Sequence, residues 1–194
     1  KGFVGTHSTT DTFHTDNEAV RGPERFKNHG DKADSYVCFL GAEFIRHGKQ
    51  QAGVNKVIDK TFPGFEKVGD SFSFVEEWYS LKDFRPEIHV LTVFNDPALE
   101  GDDYKRPAYP NCWARNEGKG RVFYGSFAHA NETWDIRNIQ QMYFEAMRWA
   151  LGLTDGELKP HAMTPAPAAP AGPVGPCAPA APTSPCGPCA PCGP

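Results

Sequence analysis

The chain has 194 residues, of which 39% are hydrophobic and 12% aromatic, enough to fill one core of ordinary size. Its 20 basic and 24 acidic residues are interspersed and leave a formal net charge of -4, so it lacks the basic field that nucleic acid or an anionic lipid surface requires. No run reaches the roughly 18–20 consecutive apolar residues of a membrane span, and the first residues lack the basic-then-apolar profile of a secretory leader.

Lys1-Gly2-Phe3-Val4-Gly5 reads as a strand already in progress, and a segment upstream of it is expected. The strand runs into a polar turn at Thr6-His7-Ser8. Residues 34–47 read as a helix, with Val37, Leu40, Ala42 and Phe44 among its apolar positions, and Cys38 within it as a buried thiol. Residues 87–95 form a further strand, and 111–116 with 120–127 form a hairpin around Glu117-Gly118-Lys119-Gly120. The clearest helix spans 135–151, where Ile136, Ile139, Tyr143, Ala146, Met147 and Ala150 recur at three-and-four spacing, with Asp135 as N-cap and Gly152 beyond the last turn. Strands alternating with helices predict a mostly parallel sheet covered on both faces.

After about Lys159 the pattern changes. A linker over 153–166 leads into residues 167–194, where every third residue is proline. That period equals the three residues per turn of polyproline II, and proline restricts both itself and its predecessor to extended geometry. An extended strap is predicted, reaching roughly 85 Å if straight at about 3.1 Å per residue. Cys177, Cys186, Cys189 and Cys192 all occupy the first position of their triplets. Residues three apart on such a helix are separated by about 9 Å, too far for a disulfide between neighbours, so these cysteines are assigned to partner contact.

Several motifs in the first 152 residues carry a family resemblance. They are the opening Gly-Phe-Val-Gly-Thr-His-Ser, the segment Leu40-Gly41-Ala42-Glu43-Phe44-Ile45-Arg46-His47, and the cluster Glu76-Glu77-Trp78-Tyr79 followed by Arg85-Pro86. The closing stretch from Tyr109-Pro110 through Trp113, Gly118-Lys119-Gly120-Arg121-Val122-Phe123-Tyr124 and His129 completes them. In order and spacing they resemble the trehalose-utilisation (ThuA-like) family. The resemblance implies a flavodoxin-like fold similar to class I glutamine amidotransferases, and a link to disaccharide and keto-sugar metabolism. By that resemblance the family's first βα units, very roughly 70–90 residues, have no counterpart in this chain. Where the amidotransferase relatives carry a nucleophilic cysteine at the strand-to-helix elbow, this chain has His7 and Ser8, which argues against thiol amidotransfer. Ala128 stands before His129 where a glycine is more usual, and its bulk is expected to crowd that turn.

His7, at the carboxyl end of a strand, lies where ligands collect in open α/β sheets, and His47, Glu77 and His129 can converge on it. His7, Glu77 and His129 are the candidate catalytic residues, as general acid and base; Ser8, Asp11, His47, Tyr79 and Trp134 are candidate ligand contacts. No cofactor is assigned. Imidazoles with a glutamate can hold a divalent metal, but no His-x-x-x-His pair fixes such a geometry. Trp78, Trp113 and Trp134 can stack on a sugar or pack in a core. His14, His29, His89 and His161 read as ordinary surface or core residues.

Two functions follow. The first is a non-catalytic accessory subunit docked onto other protein subunits through residues 164–194, in an extracytoplasmic (periplasmic) compartment of a bacterium. The second is a protein that binds or processes a disaccharide or keto-sugar, a hydrolase or lyase if an enzyme, at the His/Glu pocket.

Overall fold

The computed structural model describes residues 1–15 and 23–160. The proline-periodic strap, its four cysteines and His161 lie outside the described residues.

Among the described residues, eight strands and two α-helices follow in the order β1 (Gly2–Thr6), α1 (Ser35–Leu40), β2 (Glu43–His47), β3 (Gln51–Val57), β4 (Ser71–Glu76), β5 (Tyr79–Lys82), β6 (His89–Phe94), β7 (Tyr109–Glu117), β8 (Gly120–Gly125) and α2 (Arg137–Ala150), with short 3₁₀ turns between. Six strands form one sheet in the order β1-β8-β7-β6-β3-β4, and β2 pairs with β5 in a separate ribbon. The fold is mixed α/β, but the expected mostly parallel sheet is corrected. Only β1 and β8 pair in parallel, and every other pairing is antiparallel. A parallel pair needs a crossover, usually through a helix. Among the described residues only α2 is long, and it packs on β1 and β8.

The helix predicted over 34–47 ends early. Asp34 caps it, its side chain accepting from the Tyr36 N–H at 2.8 Å, but Gly41 stops it at φ +112°. A Cβ at Gly41 would lie 2.7 Å from Trp113 Nε1, whose N–H caps the helix by donating to the Leu40 carbonyl at 2.8 Å. Only glycine allows both the left-handed turn and that approach. The chain then extends, and Glu43 to His47 becomes β2. Cys38, on α1, is half-buried rather than buried.

The hairpin appears as predicted, with Glu117 facing Gly120 across the turn. Helix α2 buries Ile139, Met142, Tyr143, Ala146 and Trp149, while Met147 faces outward. Its N-cap position is Ile136, and Asp135 instead closes the 3₁₀ turn Asn131–Asp135. At the other end Gly152 (φ +77°) and Leu153 donate to the carbonyls of Trp149 and Arg148, the paired bonds of a Schellman ending. Gly2 lets α2 lie directly on β1, since a Cβ there would strike the Ala150 carbonyl. Trp78 and Trp113 are 1% and 0% exposed and belong to the core, which removes them as sugar-stacking candidates. No helix among the described residues is long and apolar enough to cross a membrane.

The pairings give β1, β8, β6 and β4 one direction and β7 and β3 the other. His7, Glu77 and the loop to His129 therefore all follow carboxyl ends of co-directional strands. Strands β1 and β4 sit at opposite edges of the sheet, yet the residues that follow them touch, so the sheet curls until its two edges meet.

Candidate active site

His7 is the residue at which β1 turns. It carries φ +37°, unusual for a side chain with a Cβ, and is 5% exposed. Two sets of bonds hold this elbow. The Thr9 hydroxyl donates to the Thr6 carbonyl at 2.6 Å and accepts from the Thr6 N–H at 2.9 Å. The buried Tyr124 hydroxyl, from β8, donates to the His7 carbonyl at 2.8 Å and pairs with the Thr10 hydroxyl at 2.8 Å. A Cβ at Gly5 would strike Thr9 Cγ2 at 2.8 Å, so glycine there lets the turn close over its own strand.

Glu77 lies at the centre of three imidazoles. Its Oε2 is 3.4 Å from His7 Nε2 and 3.6 Å from His129 Nδ1, and its Oε1 is 3.2 Å from His47 Nδ1. The His7 and His129 rings are 4.8 Å apart. Tyr79 wedges beneath them, 3.9 Å from the His7 ring and stacked 5.7 Å from that of His47. Glu77 and His7 are the sheltered members, with side chains 16% and 6% exposed, while His129 and His47 are 43% and 40% exposed.

Burial lowers the pKa of His7, and the neighbouring His129 lowers it further, against the raising influence of its bond to the Glu77 carbonyl and of the Glu77 charge. The ring is held neutral at neutral pH. Both acceptors near its Nε2, the Glu77 carbonyl at 3.2 Å and the carboxylate, favour the tautomer that is protonated there. Burial raises the pKa of the Tyr79 hydroxyl, with the charges of Asp11 and Glu77 adding to it, so it stays an O–H donor.

The residue beside the centre, Glu76, is fully buried and sets its shape. Its Oε2 accepts from the N–H groups of Ala128 (2.8 Å) and His129 (3.1 Å) and from the Thr133 hydroxyl (2.8 Å); its Oε1 accepts from the N–H groups of Ala130 (3.2 Å) and Glu77 (2.8 Å). One carboxylate thus folds the loop that presents His129. Ala128 sits in this loop at φ +82°, so the conformation that glycine would adopt freely is carried here by alanine. Sequence reasoning passed over Glu76, because a buried acid beside an exposed one looks the same in a Glu-Glu pair.

Of the candidate ligand contacts, His47 and Tyr79 join the centre. Asp11 stands at its margin, bonded to His14 Nε2 at 2.9 Å. Ser8 is exposed on the turn, and Trp134 packs on Tyr143 at the start of α2. One donor atom each from His7, Glu77 and His129 lie within 4.8 Å of one another, a His-His-Glu set that fits a divalent ion with an open position. A cleft of about 650 Å³ is lined elsewhere by Pro63, Lys67, Arg137, Asn138, Glu145 and Asp155 and holds none of these residues.

A strand-end histidine, a carboxylate between imidazoles and a mixed α/β sheet define an α/β protein with a His/Glu cluster at its strand ends. The chain belongs to the trehalose-utilisation (ThuA) family, whose model matches residues 1–150. No curated protein matches it. Among solved structures it is similar to a ThuA-like protein from Bacteroides uniformis, with a TM-score of 0.55 and 19% identity over 77% of this chain and 58% of that one. Another, from Parabacteroides merdae, matches with a TM-score of 0.49 and 16% identity over 84% of this chain and 66% of that one. The chain thus spans less than two thirds of the length of either structure, and the likeness shows the fold alone.

Proposed function

We propose that the chain binds a sugar-derived ligand at the His7, Glu77 and His129 centre and moves a proton on it, as the hydrolase or lyase part of a disaccharide or keto-sugar process. One observation carries the reading: residues 7, 77 and 129, distant in sequence, meet around a single carboxylate oxygen. His7, held neutral by burial, serves as the base. Glu77 lies within 3.6 Å of all three rings and stabilises whichever imidazole gains the proton. Tyr79 supplies a hydroxyl donor, and half-exposed His129 is placed to return the proton to a leaving oxygen. A keto derivative suits this equipment, because a C–H beside a carbonyl is acidic enough for an imidazole base. The test is calorimetry with trehalose and its keto derivatives, on this chain and on any longer product that contains it. Binding that is lost in His7→Ala supports the reading; absence of heat with every sugar overturns it.

The accessory-subunit reading rests on the repeat over 167–194. Its test is the native size of the gently isolated protein with and without residues 164–194. An assembly that weakens on truncation supports docking through the strap, and an unchanged monomer removes it.

A further inference from the structure

A second group of donors is buried where the β2–β5 ribbon begins. Glu43 faces Lys82 across the ribbon, and the two are 1% and 3% exposed. Glu43 Oε1 meets His14 Nδ1 at 3.2 Å and Lys82 Nζ at 3.7 Å, whereas its Oε2 is buried with no hydrogen-bond partner. His29 comes in from the segment preceding α1. Its Nδ1 lies 2.6 Å from Asp83 Oδ2, and its backbone N–H donates to the other oxygen of the same carboxylate. Asp83 is 3% exposed, so this grip on the ring is a buried one. It places the ring proton on Nδ1 and leaves Nε2 as the lone-pair nitrogen, and Nε2 is also buried without a hydrogen-bond partner.

One donor atom each from His29, Glu43 and Asp83 lie within 4.8 Å of one another, and two buried acceptor atoms of these residues, His29 Nε2 and Glu43 Oε2, have no hydrogen-bond partner. Leaving a buried acceptor unsatisfied is costly. A cation relieves both at once.

We propose that His29, Glu43 and Asp83 form a divalent-cation site, and that Zn²⁺ is the fitting ion. An imidazole nitrogen and a carboxylate oxygen are zinc donors, and the remaining positions fall to water. Asp83 acts mainly by orienting the His29 ring. The bound ion ties the segment that carries His29 to the β2–β5 ribbon, and its binding energy adds to the stability of the fold. The site is separate from the His7, Glu77 and His129 centre and does not depend on a sugar binding there.

The experiment is Zn²⁺ uptake by the full chain, measured by equilibrium dialysis with elemental analysis, in a Glu77→Gln background that disables the other His/Glu set. One Zn²⁺ per chain is expected, together with a rise in Tm on adding the ion. Adding either Glu43→Gln or His29→Ala should abolish uptake, and Asp83→Asn should weaken it by roughly 10–100-fold. His29→Ala guards against loss of the fold in Glu43→Gln, because it changes a partly exposed side chain outside every helix and strand. No uptake in Glu77→Gln, or uptake that both further substitutions leave unchanged, overturns the proposal.

Discussion

Glu76 and Glu77 are neighbours in sequence with opposite duties, and Glu76→Gln separates them. The Glu76 carboxylate accepts five hydrogen bonds, three on Oε2 and two on Oε1. A glutamine that turns its oxygen toward the triple side still sets an NH₂ against the N–H groups of Glu77 and Ala130. Two buried donors lose their acceptor, at about 1–3 kcal/mol each, so a loss of about 2–6 kcal/mol is expected. Urea unfolding should show a lower midpoint at unchanged slope, which marks a change of stability rather than of compactness. In Glu77→Gln the side chain is partly exposed and surrounded by imidazoles, and stability should move by less than about 1 kcal/mol while ligand or metal binding at the centre collapses. A Glu76→Gln loss below about 1 kcal/mol would show that this carboxylate does not hold the His129 loop.

Gly41→Ala should cost about 2–5 kcal/mol, since it combines φ +112° with a Cβ 2.7 Å from Trp113 Nε1; thermal unfolding measures it, and a neutral result would mean the turn can rearrange. Ala128→Gly should change stability by less than about 1 kcal/mol, because relief at φ +82° is offset by backbone entropy and a lost buried methyl; a loss above 2 kcal/mol would contradict this. His7 has a folded pKa below its unfolded value, so its contribution to stability is present above about pH 6.5 and is lost as pH falls through the folded pKa. A pH series of unfolding midpoints should show a downward slope below about pH 6.5 that is smaller in His7→Gln, and equal slopes in the two proteins would refute the assignment.

Much of the fold was legible where one physical signal acts alone. The α2 stripe and the tight turn at Gly118 are local, and both were placed from spacing and turn chemistry. The break at Gly41 was not, because its cause is Trp113, a residue 72 positions away that needs the space a side chain would fill. Reading Leu40 to His47 as helix also hid the alternation of Glu43 to His47, which the β2–β5 pairing selects. Strand direction could not be read from the order of elements, since it depends on which connections cross the sheet. At the site, His7, Glu77, His129 and His47 were found through motif order, whereas Glu76 and the His29–Asp83 pair become visible only when burial separates structural acids from solvated ones.

The curl that brings β1 beside the end of β4 has a consequence for how occupancy is felt. No backbone ladder joins these two edges among the described residues; the contact recorded there is between His7 and Glu77, at 3.4 Å between side chains and 3.2 Å to the Glu77 carbonyl. The rim is therefore fastened by the same groups that are proposed to receive the ligand. A molecule that bridges the imidazole and the carboxylate takes over as the fastener, and one that parts them loosens the rim. Hydrogen exchange along β1 and β4, far along the sheet from each other, should then rise or fall together as ligand is added, making two remote edges a single gauge of what the centre holds.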